Sequence, residues 1–101
     1  PDMSDDTWDI APPPFDANAA LQTMKRFARD QRVLAERSEG WMLGADAVLK
    51  LAVDGASVGV QLAKRPARTP EWDRFTLTSA TDLRKVQDEI MRRLTRWKDD
   101  E

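Results

Sequence analysis

Along residues 17–98 the hydrophobic positions of this chain switch from a helical period to an alternating one and back again. Leu21, Met24, Phe27 and Ala28 recur at steps of three and four. Asp16, just ahead of them, has the short oxygen-bearing side chain of an N-cap, so a helix is predicted over about 17–30. Near the other end Leu83, Val86, Ile90, Leu94 and Trp97 follow at steps of three, four, four and three, a narrow apolar seam. The run Ser79-Ala80-Thr81-Asp82 has the form of a capping box with Asp in the usual Glu position, and it opens a long helix over about 80–97.

The middle of the chain alternates instead. Asp54-Gly55 suits the positive φ angles of a tight hairpin turn. With those two residues in the turn, Val53 pairs with Ala56, Leu51 with Val58, Leu49 with Val60 and Ala47 with Leu62, all on one face. The opposite face then carries Ala52, Ser57, Lys50, Gly59, Val48 and Gln61, small and polar apart from Val48. One apolar face and one wetter face is what an antiparallel sheet packed on a single side requires. Trp41-Met42-Leu43 reads as a short strand turned into the hairpin by residues 44–46, and Phe75-Thr76-Leu77-Thr78 alternates as another. Residues 31–37 fit two descriptions: Leu34 extends the helical stripe, while Val33, Ala35 and Arg37 alternate as a strand does, and Gly40 ends the element in either case. Lys64 to Asp73 contains Pro66 and Pro70 and reads as an irregular loop.

Together these elements predict an α+β fold over residues 17–98, one antiparallel sheet of three to five strands with an N-terminal helix (about 17–30) and a long C-terminal helix (about 80–97). Residues 1–16 precede it as an extended acidic arm, because Pro12, Pro13 and Pro14 lack donors and fix φ near the polyproline II value. Trp8, Ile10 and Phe15 are the arm's candidates for anchoring on the core. Asp99, Asp100 and Glu101 form an acidic tail.

Composition narrows the chemistry more than any motif does. The 101 residues include no histidine and no cysteine, which removes the imidazole base, the thiolate nucleophile and the usual zinc ligands. The four glycines, at 40, 44, 55 and 59, do not cluster as phosphate, dinucleotide or calcium loops require. Ser57 and Ser79 lie outside any glycine-rich elbow. Glu71 and Asp73 read as solvated partners of Arg74 and Arg68 rather than as an acid pair for hydrolysis. A non-catalytic chain is expected, with no cofactor and no metal. No apolar run approaches the roughly 20 residues of a membrane span, so a soluble cytoplasmic protein is expected, with no membrane partner.

The net charge of −2 conceals an uneven distribution. Residues 1–16 hold five acids and no base, whereas residues 64–98 hold ten bases against five acids, so the whole-chain charge is a poor guide to what the C-terminal third attracts. Lys64, Arg65, Arg68, Trp72 and Arg74 share one loop with two prolines, and Lys50 is the one base on the wetter hairpin face. These six are the candidate binding residues. Arginines fork onto carboxylates and phosphates, and an exposed tryptophan fills a partner pocket or stacks on a base. The final helix adds Arg84, Lys85, Arg92, Arg93, Arg96 and Lys98 around its seam, the last two suited to the dipole at its end. The leading expectation is an interaction or adaptor module that engages a protein partner through the basic loop or an apolar patch near Trp72 or Trp97. Homodimerisation along the sheet edge or the last helix is a further expectation.

Over residues 41–97 the order of elements, with Trp41-Met42-Leu43-Gly44, the hairpin through Asp54-Gly55, and Phe75-Thr76-Leu77-Thr78 running into the helix, resembles the PC4-like transcriptional coactivator family. The resemblance implies a curved sheet that binds single-stranded DNA as a dimer, and it supplies the alternative reading, a single-stranded nucleic-acid-binding module. The chain departs from that pattern on the wetter hairpin face, where Lys50 is the lone base, and the added N-terminal helix is a candidate to cover that face. Nucleic acid is therefore expected at the 64–74 loop rather than on the sheet.

Overall fold

The computed structural model of the chain describes residues 15–38 and 40–99. The arm with Trp8 and Ile10 lies outside them, as do the last two residues of the acidic tail. Asp16 accepts the Ala19 N–H at 3.1 Å and opens α1 (Ala17–Asp30). Gln31 leaves the helix in an extended conformation, its N–H and side chain turned back onto the Ala28 and Phe27 carbonyls. A turn closed by the Leu34 N–H on the Gln31 carbonyl then aims Leu34 into β1 (Leu34–Arg37). Of the ambiguous stretch 31–37 only the second half is strand, which seats Leu34 in the core at 8% exposure, while Val33 lies in the turn before it and is exposed. Gly40 does not end this element; it is the first residue of β2 (Gly40–Leu43) and pairs with Arg37.

β3 (Asp46–Asp54), β4 (Ser57–Ala63) and β5 (Trp72–Leu77) complete a five-stranded antiparallel meander in the order β1-β2-β3-β4-β5, and α2 (Ala80–Asp99) follows. The hairpin turn consists of Gly55-Ala56, not Asp54-Gly55: Asp54 pairs with Ser57, Val53 with Val58, Leu51 with Val60 and Leu49 with Leu62. Gly55 sits at φ +62, the conformation that the first turn position of a Gly-X hairpin needs. The pairing is two residues away from the expected register, so every side chain keeps its face. Val48 is the exception. Trp41 pairs with Leu49 but Met42 with Ala47, leaving Val48 as the extra residue of a bulge. The residue expected on the wetter face is thereby buried beside Leu49, both at 1% exposure or less.

Both helices pack on one face of the sheet. Leu49, Val58, Val60, Leu62 and Leu77 meet Met24 and Ala28 from α1 and Val86, Ile90 and Trp97 from α2 in a single cluster. Ala17, Ala20 and Ala28 on the inner side of α1 have little side chain to hold it off the strands. The α2 seam is consumed in this core, so it is not free to pair with a second copy. Ser79 Oγ accepts the Asp82 N–H at 3.1 Å, and the Asp82 carboxylate accepts the N–H and hydroxyl of Thr78, one residue further back than the expected box. Those bonds, the Thr78 N–H foremost, hold the Asp82 carboxyl below the ordinary carboxylate range.

Candidate functional site

The expected 64–73 loop is shorter than its prolines suggest. The Lys64 N–H reaches the Glu71 carbonyl at 2.8 Å, and β5 begins at the next residue. Alternation along β5 then sorts the candidate residues onto opposite faces. Asp73, Phe75 and Leu77 lie against Leu62, Val60 and Val58 on the helix side, whereas Trp72, Arg74 and Thr76 lie beside Ala63, Gln61 and Gly59 on the other. Neighbours in a strand point apart, so Asp73 does not pair with Arg74 as expected.

Asp73 instead turns towards α2. Its carboxylate takes Lys64 Nζ at 2.6 Å and Arg93 Nη2 at 2.7 Å. Arg93, with only 11% of its side chain exposed, also donates to Glu89 at 2.7 Å and to the carbonyl of Ala63 at 3.0 Å. Arg92 adds a second contact to Glu89. The hydrogen bond from Lys64, then that from Arg93, holds the Asp73 carboxyl below its ordinary value, and the Arg93 hydrogen bond does the same for Glu89. Burial disfavours the Arg93 charge, but Glu89 and Asp73 outweigh it and raise the guanidinium. Lys64 is thus committed to the fold, and Arg93, which sequence reasoning placed only among helix-surface bases, is the centre of this network.

The remaining candidates divide into two groups. Arg65 and Arg68 stay exposed on the loop. Lys50, Trp72 and Arg74 converge on the sheet face that the helices leave open. Lys50 pairs with Gln61 and Gln61 with Arg74, forming one cross-strand row, and the Lys50 ammonium stands 5.0 Å from the centre of the Trp72 ring. Ala52 and Thr76 on this face are exposed, and Gly59 has no side chain, so the floor between the bases is low. A depression of about 590 Å³ lies here, its charged lining made of Lys25, Arg37, Lys50 and Arg74 together with the acids Glu36 and Asp54. The buried residues of α1 pack on the opposite face, and Lys25 is its one residue among those lining this depression. Reading β5 by the same alternation as the hairpin, with Trp72 included in the strand, is the sequence signal that locates the row. The prolines at 66 and 70 concealed it.

This surface offers four cations interspersed with two acids, an aromatic ring beside them and backbone close to the surface. No helix among the described residues is long and apolar enough to cross a membrane. No protein-family model, no curated protein and no solved structure matches the chain.

Proposed function

We propose that this domain is a non-catalytic module that binds single-stranded nucleic acid across the open face of its sheet. The observation that carries the reading is the convergence of Lys50 from β3 with Trp72 and Arg74 from β5 on one face of the sheet. Arg37 lines the same depression. A flexible polyanionic strand needs spaced cations for its phosphates and a ring on which a base stacks, without hydrogen-bond readout. Ala52 and Gly59 let the strand approach the sheet between those groups. Lys50 occupies the Trp72 ring in the free protein, an exposed cation–π contact of about 0.5–1 kcal/mol. A stacked base contributes about 1–3 kcal/mol, so the base displaces the ammonium, which moves on its four-carbon stem to a phosphate.

Three bases on the face correspond to a salt slope of about −2 for single strands, a roughly 20-fold loss of affinity between about 50 and about 200 mM salt. Fluorescence anisotropy of a labelled mixed-sequence oligonucleotide at those two salts measures it. Lys50→Ala with Arg74→Ala weakens binding and flattens the slope, and Trp72→Leu weakens binding while leaving the slope. Absence of binding at the lower salt overturns the proposal.

A protein partner is the second reading, favoured by β5, an edge strand paired on one side only, by β4. An interface anchored on Trp72 beside that edge depends little on salt. Self-association through the same edge gives a homodimer, which sedimentation detects.

A further inference from the structure

The hydrogen-bond pattern of β5 fixes what its unpaired side offers. The Lys64 N–H reaches the Glu71 carbonyl, so 64 and 71 form a hydrogen-bonded pair in register with Leu62–Asp73, Val60–Phe75 and Val58–Leu77. Hydrogen-bonded pairs fall at every second residue of an antiparallel ladder. Asp73, Phe75 and Leu77 therefore bond to β4, while Trp72, Arg74 and Thr76 turn their N–H and C=O groups to the free edge. Beside that edge runs a groove of about 650 Å³ between β5 and α2. Asp73 meets Arg93 at one end and Thr78 meets Asp82 at the other, and between them Phe75, Leu77 and Val86 line the groove together with the exposed Lys85. We propose that residues 5–10 of the chain's own acidic arm occupy this groove as a sixth strand on the free edge of β5.

Period and charge both fit. An extended run of Asp5-Asp6-Thr7-Trp8-Asp9-Ile10 puts Trp8 and Ile10, with Asp6, on one side and Asp5, Thr7 and Asp9 on the other. Its six residues equal the length of β5. With Trp8 and Ile10 turned to the helix side, they cover Phe75, Leu77 and Val86, and Asp6 comes to the side that carries Lys85. Asp5 and Asp9 then come to the side that carries Arg74. Residues 1–14 hold four acids and no base, so the segment brings no cation against these two.

Length and the choice of edge fit as well. Residues 11–14, three of them proline, span about 12 Å when extended, more than the 8–10 Å between packed helices. They lead into α1, which packs against α2, and α2 packs against β5. An edge strand left bare is a template for pairing with other chains, and folded proteins cover or blunt it. The opposite edge, β1, is two residues shorter and carries the exposed charges Glu36 and Arg37. β5 instead sets Phe75 and Leu77 beside its free edge, so main-chain hydrogen bonds and apolar contact act together on a strand added there.

Amide hydrogen exchange in the 15N-labelled full chain reads the pairing residue by residue. A docked arm protects the amides of Arg74 and Thr76 as well as those of Phe75 and Leu77, whereas a bare edge protects only the second pair. In Trp8→Ser with Ile10→Ser, the Arg74 and Thr76 amides are expected to exchange at least about tenfold faster than in the parent. Phe75 and Leu77 keep their rates, which shows that the sheet is intact. Fast exchange at Arg74 and Thr76 in the parent chain, or protection that survives the double substitution, overturns the proposal. Protection that fades on dilution also overturns it and assigns the edge to a second copy of the chain. The rates are measured without oligonucleotide, so they do not depend on the reading of the open face.

Discussion

Arg93 Nη2 and Asp73 Oδ2 meet at 2.7 Å, 20 residues apart in sequence, and join the last helix to the edge strand of the sheet. Asp73 can face Arg93 only if its two neighbours face the other way. The contact that pins β5 to α2 therefore also presents Trp72 and Arg74 on the open face. One ion pair sets the geometry of a surface that it does not touch.

Arg93→Ala removes the donor to Asp73, Glu89 and the end of β4 together. A loss of about 2 kcal/mol is expected, read as a lower midpoint in urea denaturation. Arg93→Lys keeps the charge but not the planar fork, so it falls between the two. An unchanged midpoint in Arg93→Ala would show the network to be energetically idle.

Acid weakens the fold in a predictable window. Asp73, Asp82 and Glu89 all have folded-state pKa values below their ordinary values, 3.8 for the aspartates and 4.5 for the glutamate. The unfolded chain therefore binds protons first as pH falls. Their contribution is complete above pH 4.5, declines as the pH drops through the ordinary values, and is lost below the depressed ones. With no histidine in the chain, no side chain of ordinary pKa titrates between pH 6 and 8. Thermal melts should be flat over that range and fall below about pH 4.5. Asp73→Asn with Glu89→Gln should make the acid limb shallower, and an unaltered limb contradicts the assignment.

Two glycines with positive φ should respond differently to alanine. At Gly40, with φ +128, an added Cβ would stand 2.5 Å from the Leu49 carbonyl oxygen, and that oxygen belongs to the neighbouring strand. At Gly55, with φ +62, the space is open. Gly55→Ala carries only the conformational cost of about 1–2 kcal/mol, whereas Gly40→Ala must also displace β2 from β3 and should be the more destabilising. Paired chemical denaturation curves decide the order.

Consecutive residues on α2 separate burial from helix propensity. Ile90 is 1% exposed and Met91 is 43% exposed. Ile90→Ala should cost about 2–4 kcal/mol through lost burial and the cavity left behind, and Met91→Ala should stay within about 0.5 kcal/mol of the parent. Similar costs for the two would mean that α2 packs on a different stripe.

Most of the element content was determined locally. Asp16 and Ser79 cap their helices because each short side chain reaches a free N–H within its own turn, and the Leu83-to-Trp97 seam follows from helical periodicity alone. Strand alternation likewise assigned Leu49, Leu51, Val58 and Val60 to the buried face, and it survived a two-residue change of register because a strand has period two. Tertiary structure decided what depends on contacts between distant residues. It turned Leu34 into a strand, made Val48 the bulged residue, and started β5 at Trp72 despite the prolines before it. It also sent both helices to one face, uncovering Lys50, Trp72 and Arg74, and joined Arg93 to Asp73. Period and capping are properties of a few neighbouring residues. Which face is covered, and which charge meets which, depends on how the whole chain packs to bury its apolar surface.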